Sequence, residues 1–161
     1  YALHLLDANV FISAQRDYYP LDRVPEYWEG LAHHADAGEI KVPRPIWDEL
    51  QPHDESLRDW LRDHQDALVL DPDESDILVS DVLIRYGEDL NEEELERIGA
   101  DPFLVAAAMH HGAIVVSKEG SKPTKTRVNR RVPDICDELG VTCITDHRLI
   151  VDLNFSTGWQ P

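Results

Sequence analysis

The feature that most constrains this chain is a set of short apolar runs, each halted by a polar or acidic residue and separated by helical stretches. Leu3-His4-Leu5-Leu6 stops at Asp7, Ile40-Lys41-Val42 at Pro43 and Ala113–Val116 at Ser117, while Val141–Ile144 is closely followed by Asp146. Runs this short and continuous suit strands buried on both faces, which is the habit of parallel sheets. The segments between them carry helix spacing and helix punctuation. The order predicts an α/β fold with a central, mainly parallel sheet. A length of 161 residues predicts one domain over 1–161.

The helical stretches are marked in different ways. Ala8 to Gln15 reads as a short helix. Pro25 suits the first turn of a helix with Tyr27, Trp28, Leu31 and Ala35 on its apolar face and Gly38 at its end. Ile46 to Leu50 starts another, and Ser56 to Gln65 aligns Leu57, Trp60 and Leu61. Ala67 to Leu70 reads equally as strand or extended loop. Ser75 is positioned to cap a helix to Tyr86, and Asn91 to cap the acidic run Glu92-Glu93-Glu94. Asp101-Pro102 opens a helix to His111 with Asp101 as its cap, Pro133 opens one to Leu139, and Asp146 to Asp152 is the last.

Charge narrows the range of partners. There are 32 acidic and 15 basic residues, a net charge of -17, which opposes non-specific attraction to polyphosphates. The basic residues are unevenly spread. Lys118, Lys122, Lys125, Arg127, Arg130 and Arg131 fall within one segment in which Glu119 is the only acid. Removing that segment leaves 9 basic and 31 acidic residues, or -22. Gly120, Ser121, Pro123 and Thr124 make it a mobile loop. It is either solvated filler or a phosphate-binding arm. No apolar run approaches the length of a membrane span, and no signal peptide is evident. Two cysteines give neither a disulfide framework nor a Cys-based zinc site. The expectation is a cytoplasmic protein with no membrane partner.

In open α/β sheets, chemistry collects beyond the C-terminal ends of the strands. Asp7 follows the first strand there, and Ser117, Lys118 and Glu119 follow the strong strand 113–116. Asp101 starts the helix leading into that strand. Glu49 lies in Trp47-Asp48-Glu49-Leu50, after the second strand. Singly, each acid is more often a turn or cap residue than a ligand. Together, four carboxylates that converge require a cation, because like charges raise one another's pKa. Hard oxygen ligands select Mg²⁺ or Mn²⁺, the setting for metal-assisted phosphodiester hydrolysis.

The stretch Leu5-Leu6-Asp7-Ala8-Asn9-Val10-Phe11-Ile12 resembles the opening motif of PIN-domain nucleases. Ala100-Asp101-Pro102-Phe103-Leu104-Val105-Ala106-Ala107-Ala108 resembles their third-acid motif, and Val115-Val116-Ser117-Lys118-Glu119 their strand-end motif. Trp47-Asp48-Glu49-Leu50 looks like the segment with the middle Glu. The likeness runs in order over nearly the whole chain. It is nearest to a PIN-like branch with Glu as the fourth acid, followed by a long basic loop and a helix such as Pro133-Asp134-Ile135-Cys136.

The resemblance implies a three-layer α/β/α fold and a Mg²⁺- or Mn²⁺-dependent endoribonuclease. Many relatives are toxins of VapBC-type toxin–antitoxin pairs, which implies an RNA substrate, an antitoxin partner and a homodimer. Carried over, Asp7, Glu49, Asp101 and Glu119 hold the metal, and Asn9 and Ser117 orient ligands or water. Lys118, Lys122, Lys125, Arg127, Arg130 and Arg131 contact RNA phosphate. Many PIN domains have Asp where Glu119 stands, so the reach of that acid differs. Asp48 competes with Glu49, but neighbours on a helix point about 100° apart, so one of them faces the site.

Two other readings stay open. A HAD-like phosphohydrolase also places Asp after its first strand, but usually with a second Asp two residues on, where this chain has Asn9. A PIN-fold binding module without catalysis is the other. His33-His34 and His110-His111 are adjacent pairs near helix ends and lack the i, i+4 spacing of a two-His clamp. They read as cap or surface residues. Cys136 and Cys143 read as small buried residues, and Trp28, Trp47 and Trp60 as core. Trp159 reads as packed on the body or touching a partner. Asp134 reads as an acid at a helix start, or as support for the site.

Overall fold

The computed structural model describes residues 2–50, 54–158 and 160–161, so Trp159 lies outside the described residues. The chain runs β1 (His4–Leu6), α1 (Ala8–Ser13), α2 (Pro25–Asp36), β2 (Ile40–Pro43), α3 (Arg44–Glu49), α4 (Glu55–Asp63), α5 (Gln65–Leu68) and β3 (Val69–Leu70). It continues with α6 (Val79–Tyr86), α7 (Glu92–Ile98), α8 (Asp101–His111), β4 (Ile114–Val116), α9 (Val132–Leu139), β5 (Cys143–Ile144) and α10 (Asp146–Asp152). A π-helical turn, Ala14–Tyr18, extends α1, and 3₁₀ turns lie at Glu74–Leu78 and Arg127–Asn129.

Five strands form one sheet in the order β3-β2-β1-β4-β5, with every pairing parallel. This is the α/β architecture the alternating runs predict, and it is consistent with a three-layer PIN-like fold. β1 is central and buried throughout, which is why it contains no alternating polar face. Chain order reverses direction between β1 and β4. That is a topological switch point, where the loops leaving two adjacent strands part and open a crevice. The register His4↔Ile114, Leu5↔Val115, Leu6↔Val116 brings Asp7 and Ser117 out side by side at its mouth. The Asp7 N–H donates to the Val116 carbonyl at 2.9 Å, and the Ser117 N–H to that of Ile144 at 3.0 Å.

The core explains why these elements hold. Leu5, Leu6, Val10, Phe11, Trp28, Ile40, Leu104 and Val116 are buried. Each large apolar side chain removed from water contributes roughly 1.5–3 kcal/mol. The helix faces read from sequence are the buried ones: Tyr27, Trp28, Leu31 and Ala35 on α2, and Leu57 and Leu61 on α4. Trp28 meets Trp60 edge to face at 4.9 Å, and its indole N–H donates to the Tyr19 carbonyl at 2.6 Å. In α8, Leu104 to Ala108 are all buried, so this helix has no wet stripe over that stretch. Trp47 and Trp60 pack partly buried against the core. Among the described residues, no helix is long and apolar enough to cross a membrane.

Four local expectations change. Asp101 does not cap α8; it is the first helical residue, and Ala100 at the cap position carries no side-chain cap bond. Asp73, not Ser75, caps the 3₁₀ turn, its carboxylate accepting the Ser75 N–H at 2.8 Å. The ambiguous segment 67–70 divides into the end of α5 and the two-residue edge strand β3. The run 141–144 is strand only at Cys143–Ile144. Elsewhere the caps are as read: Asn91 and Glu94 form a reciprocal capping box on α7.

Candidate active site

Asp7 stands at the end of β1 as the N-cap of α1, with one carboxylate oxygen 2.8 Å from the Ala8 N–H. Its other oxygen receives the Ser117 hydroxyl at 3.3 Å and the Asn9 amide at 3.4 Å. The Asn9 carbonyl oxygen accepts the Lys118 N–H at 3.1 Å, and Ser117 Oγ accepts the Glu119 N–H at 3.1 Å. Asn9 and Ser117 therefore tie the ends of β1 and β4 together and orient Asp7, as supporting groups around a metal carboxylate do.

The other acids arrive from three directions. Glu49, at the last turn of α3, places Oε1 2.8 Å from the Ala100 N–H, just before Asp101. Glu119 places Oε2 2.9 Å from the Val132 N–H at the start of α9. Asp101, freed from capping, accepts no hydrogen bond among the described residues. Burial, followed by the charges of Asp7, Glu119 and Glu49, pushes its carboxyl up to about 8. Burial, then the charge of Glu119, pushes Asp7 up to about 6. Burial also raises Glu49, against the lowering effect of the Ala100 N–H.

Four carboxylates that act on one another at one sheet edge are a donor set suited to a hard divalent cation. Among the described residues, no three of them bring oxygens within 4.8 Å of one another. Glu49 and Glu119 each spend one oxygen on a backbone N–H, so the acids are not gathered into a closed cage. Mg²⁺ and Mn²⁺ keep several waters and fit such a set better than a closed cage.

Beside the acids lies a cleft of about 270 Å³. Asp101 and Glu119 form part of its wall, and Arg97, Lys125, Arg130 and Arg131 line it as well. Two polar atoms of its lining residues are buried without a hydrogen-bond partner, the Tyr86 hydroxyl and Arg131 Nε. Burial, then the charges of Asp101 and Glu119, hold the Tyr86 phenol far above its ordinary value, so it stays a donor.

A family model described as "Domain of unknown function (DUF4411)" matches residues 4–157. The chain belongs to the DUF4411 family. No curated protein matches it. All four acids singled out in the sequence of this DUF4411 chain are thus positioned by elements inside the family match.

The six basic residues separate. Lys125, Arg130 and Arg131 line the cleft, and Lys118, Lys122 and Arg127 do not. Arg127 is bound to Glu94 at 2.6 and 2.8 Å and to the Glu88 carbonyl at 3.1 Å. Arg130 lines the cleft but spends Nη1 on the Arg85 carbonyl and Glu138. Lys118 Nζ lies 3.3 Å from the buried Asp146 and 4.0 Å from the Tyr18 ring centre. The loop is anchored as well: buried Asp134 accepts the Ser121 hydroxyl at 2.5 Å and the Lys122 N–H at 2.7 Å.

Sequence reasoning missed Arg97, Tyr86 and Gly99 at this site. Arg97 sits in an acidic helix, where spacing cannot say which neighbour it meets. Gly99 has φ +66°, and a Cβ there would lie 2.6 Å from Glu49 Oε1. A glycine just before the Ala-Asp-Pro motif was the available signal. Cys136 is buried and Cys143 partly so, as expected of small packing residues. His34 pairs with Glu39 at 2.6 Å.

Proposed function

We propose that this DUF4411 chain is a PIN-type endoribonuclease that hydrolyses RNA phosphodiester bonds with Mg²⁺ or Mn²⁺, and that it is the toxin of a toxin–antitoxin pair. One observation carries the reading. A single cleft joins Asp101 and Glu119 of the acidic cluster to Arg97, Lys125 and Arg131. A phosphodiester suits such a lining: its charge answers the cations on one wall, and the acids on the other suit a divalent cation beside it. The net charge of -17 then repels polyanions everywhere but here.

Asp7, Glu49, Asp101 and Glu119 would hold the cation, which when bound supplies charge neutralisation and a more acidic water. Asn9 and Ser117 keep Asp7 in place. A bound divalent charge would also offset the raised proton affinity of Asp7 and Asp101. Asn9 spends its amide on Asp7 and its carbonyl on Lys118, which leaves it no part in the phosphoaspartate chemistry of a HAD-like enzyme.

The test is cleavage of single-stranded RNA by the full chain in Mg²⁺, Mn²⁺ or EDTA, beside Asp7→Asn. Cutting should need the metal and vanish in the variant, with an unchanged circular dichroism spectrum. Cutting in EDTA, or by Asp7→Asn at the normal rate, would falsify the metal-site reading. Phosphate release from small monoesters without RNA cleavage would favour the HAD-like alternative. Binding of RNA without cutting would favour the binding module. Co-purification with a small DNA-binding protein from the adjacent reading frame tests the toxin role.

A further inference from the structure

His110 and His111 close α8, and on helical spacing alone two adjacent histidines diverge. The fold supplies what spacing cannot, a third group from another element. His111 Nε2 lies 2.8 Å from Asp73 Oδ2, and the two imidazole rings stand edge to face at 4.9 Å. One ligand atom from each of Asp73, His110 and His111 falls within 4.8 Å of the other two. Among the described residues this is the one group of three such side chains that approach so closely.

We infer that Asp73, His110 and His111 form a site for a borderline transition-metal ion of the Zn²⁺ class, separate from the acidic cluster. Two imidazoles and one carboxylate suit Zn²⁺, Ni²⁺ or Cu²⁺ rather than Mg²⁺. Tetrahedral bonds of about 2.0–2.2 Å put ligand atoms a little over 3 Å apart. Small side-chain rotations bring the present atoms to that spacing, and water completes the shell.

Two features favour a cation at this point. Asp73 Oδ1 is already fixed by the Ser75 N–H, which orients Oδ2 toward His111. The site also lies at the C-terminal end of α8, where carbonyl dipoles favour positive charge. The His111–Asp73 hydrogen bond gives way to two metal bonds, and the proton on Nε2 either moves to Nδ1 or leaves to solvent. The ion would clip the turn before α6 to the end of α8. Asp101 begins the same helix ten residues earlier, about 15 Å away by helical rise. The inferred site is therefore independent of the proposed ribonuclease activity.

The experiment is calorimetric titration of the untagged full chain with Zn²⁺, in excess Mg²⁺ to fill the acidic cluster. One equivalent should bind with a Kd of about micromolar order and raise Tm by a few degrees, as ligand linkage requires. His110→Gln, His111→Gln and Asp73→Asn should each weaken binding about tenfold or more. Co²⁺ in place of Zn²⁺ should give the visible absorption of a low-coordinate site. These positions are exposed, and a normal circular dichroism spectrum confirms that each variant folds. No binding by the parent chain, unchanged binding by the His110→Gln/His111→Gln double variant, or loss of binding on changing His33 and His34 instead would overturn the assignment.

Discussion

Glu49 Oε1 accepts the Ala100 N–H at 2.8 Å, across fifty-one positions of chain, and so fixes one acid against the turn that launches Asp101. The approach depends on Gly99, whose φ of +66° and missing side chain leave room for the carboxylate. Gly99→Ala is expected to cost about 1–3 kcal/mol of stability from the positive-φ, extended-ψ backbone alone. It should also displace Glu49 and weaken Mn²⁺ binding roughly tenfold. Thermal denaturation and metal titration read the two effects separately. Normal metal affinity would mean that Glu49 is not a ligand.

The raised carboxyls predict an unusual pH profile for the metal-free protein. Asp101 and Asp7 bind protons more tightly when folded than when unfolded, so their contribution to stability is fully present below about pH 4. It declines as pH rises through about 6 for Asp7 and about 8 for Asp101. In EDTA, Asp101→Asn should therefore melt higher than the parent at about pH 8 and lose that advantage by about pH 4. Mn²⁺ should stabilise the parent at the alkaline end far more than the variant. Melting curves across this range decide it; parallel curves for the two proteins would contradict the raised Asp101 carboxyl.

The basic residues should differ in their effect on RNA. Lys125 and Arg131 line the cleft, whereas Arg127 is committed to Glu94. Changing Lys125 and Arg131 to Gln should weaken RNA binding and flatten its logarithmic salt slope by about 0.7 for each phosphate that goes unneutralised. Arg127→Gln should leave that slope nearly unchanged. Fluorescence anisotropy between about 50 and 200 mM salt, a range over which such slopes are steep, makes the comparison. The opposite ranking would place RNA outside the cleft.

Asp134 is buried and holds the basic loop by the Ser121 hydroxyl and the Lys122 N–H. Asp134→Ala leaves both donors unpaired at a cost of about 1–3 kcal/mol. The loop 120–131 should become sensitive to trypsin, and KM for RNA should rise more than kcat falls. Limited proteolysis and steady-state cleavage test this directly. A loop that stays protected would assign its order to Arg127 and Arg130 instead.

Much of this protein was legible in its sequence. Short runs such as 3–6 and 113–116 are too continuous for amphipathic strands, and their hydrophobic demand required a parallel sheet covered by helices. Asp7 and Ser117 stand just beyond the ends of those runs, where the apolar pattern stops although both side chains stay buried. What the sequence could not decide was which groups meet. Asp101 reads as a cap until Ala100 takes the cap position and leaves its carboxylate to the other acids. Arg127 and Arg131 look alike in a basic loop until one finds Glu94 and the other lines the cleft. His110 and His111 look like surface residues until Asp73 arrives from another element. Periodicity and caps are local and act over a few residues, so they survive in one dimension. Electrostatic partnership depends on distance in space, and only the packing of α8 against its neighbours and the register of β1 on β4 set those distances.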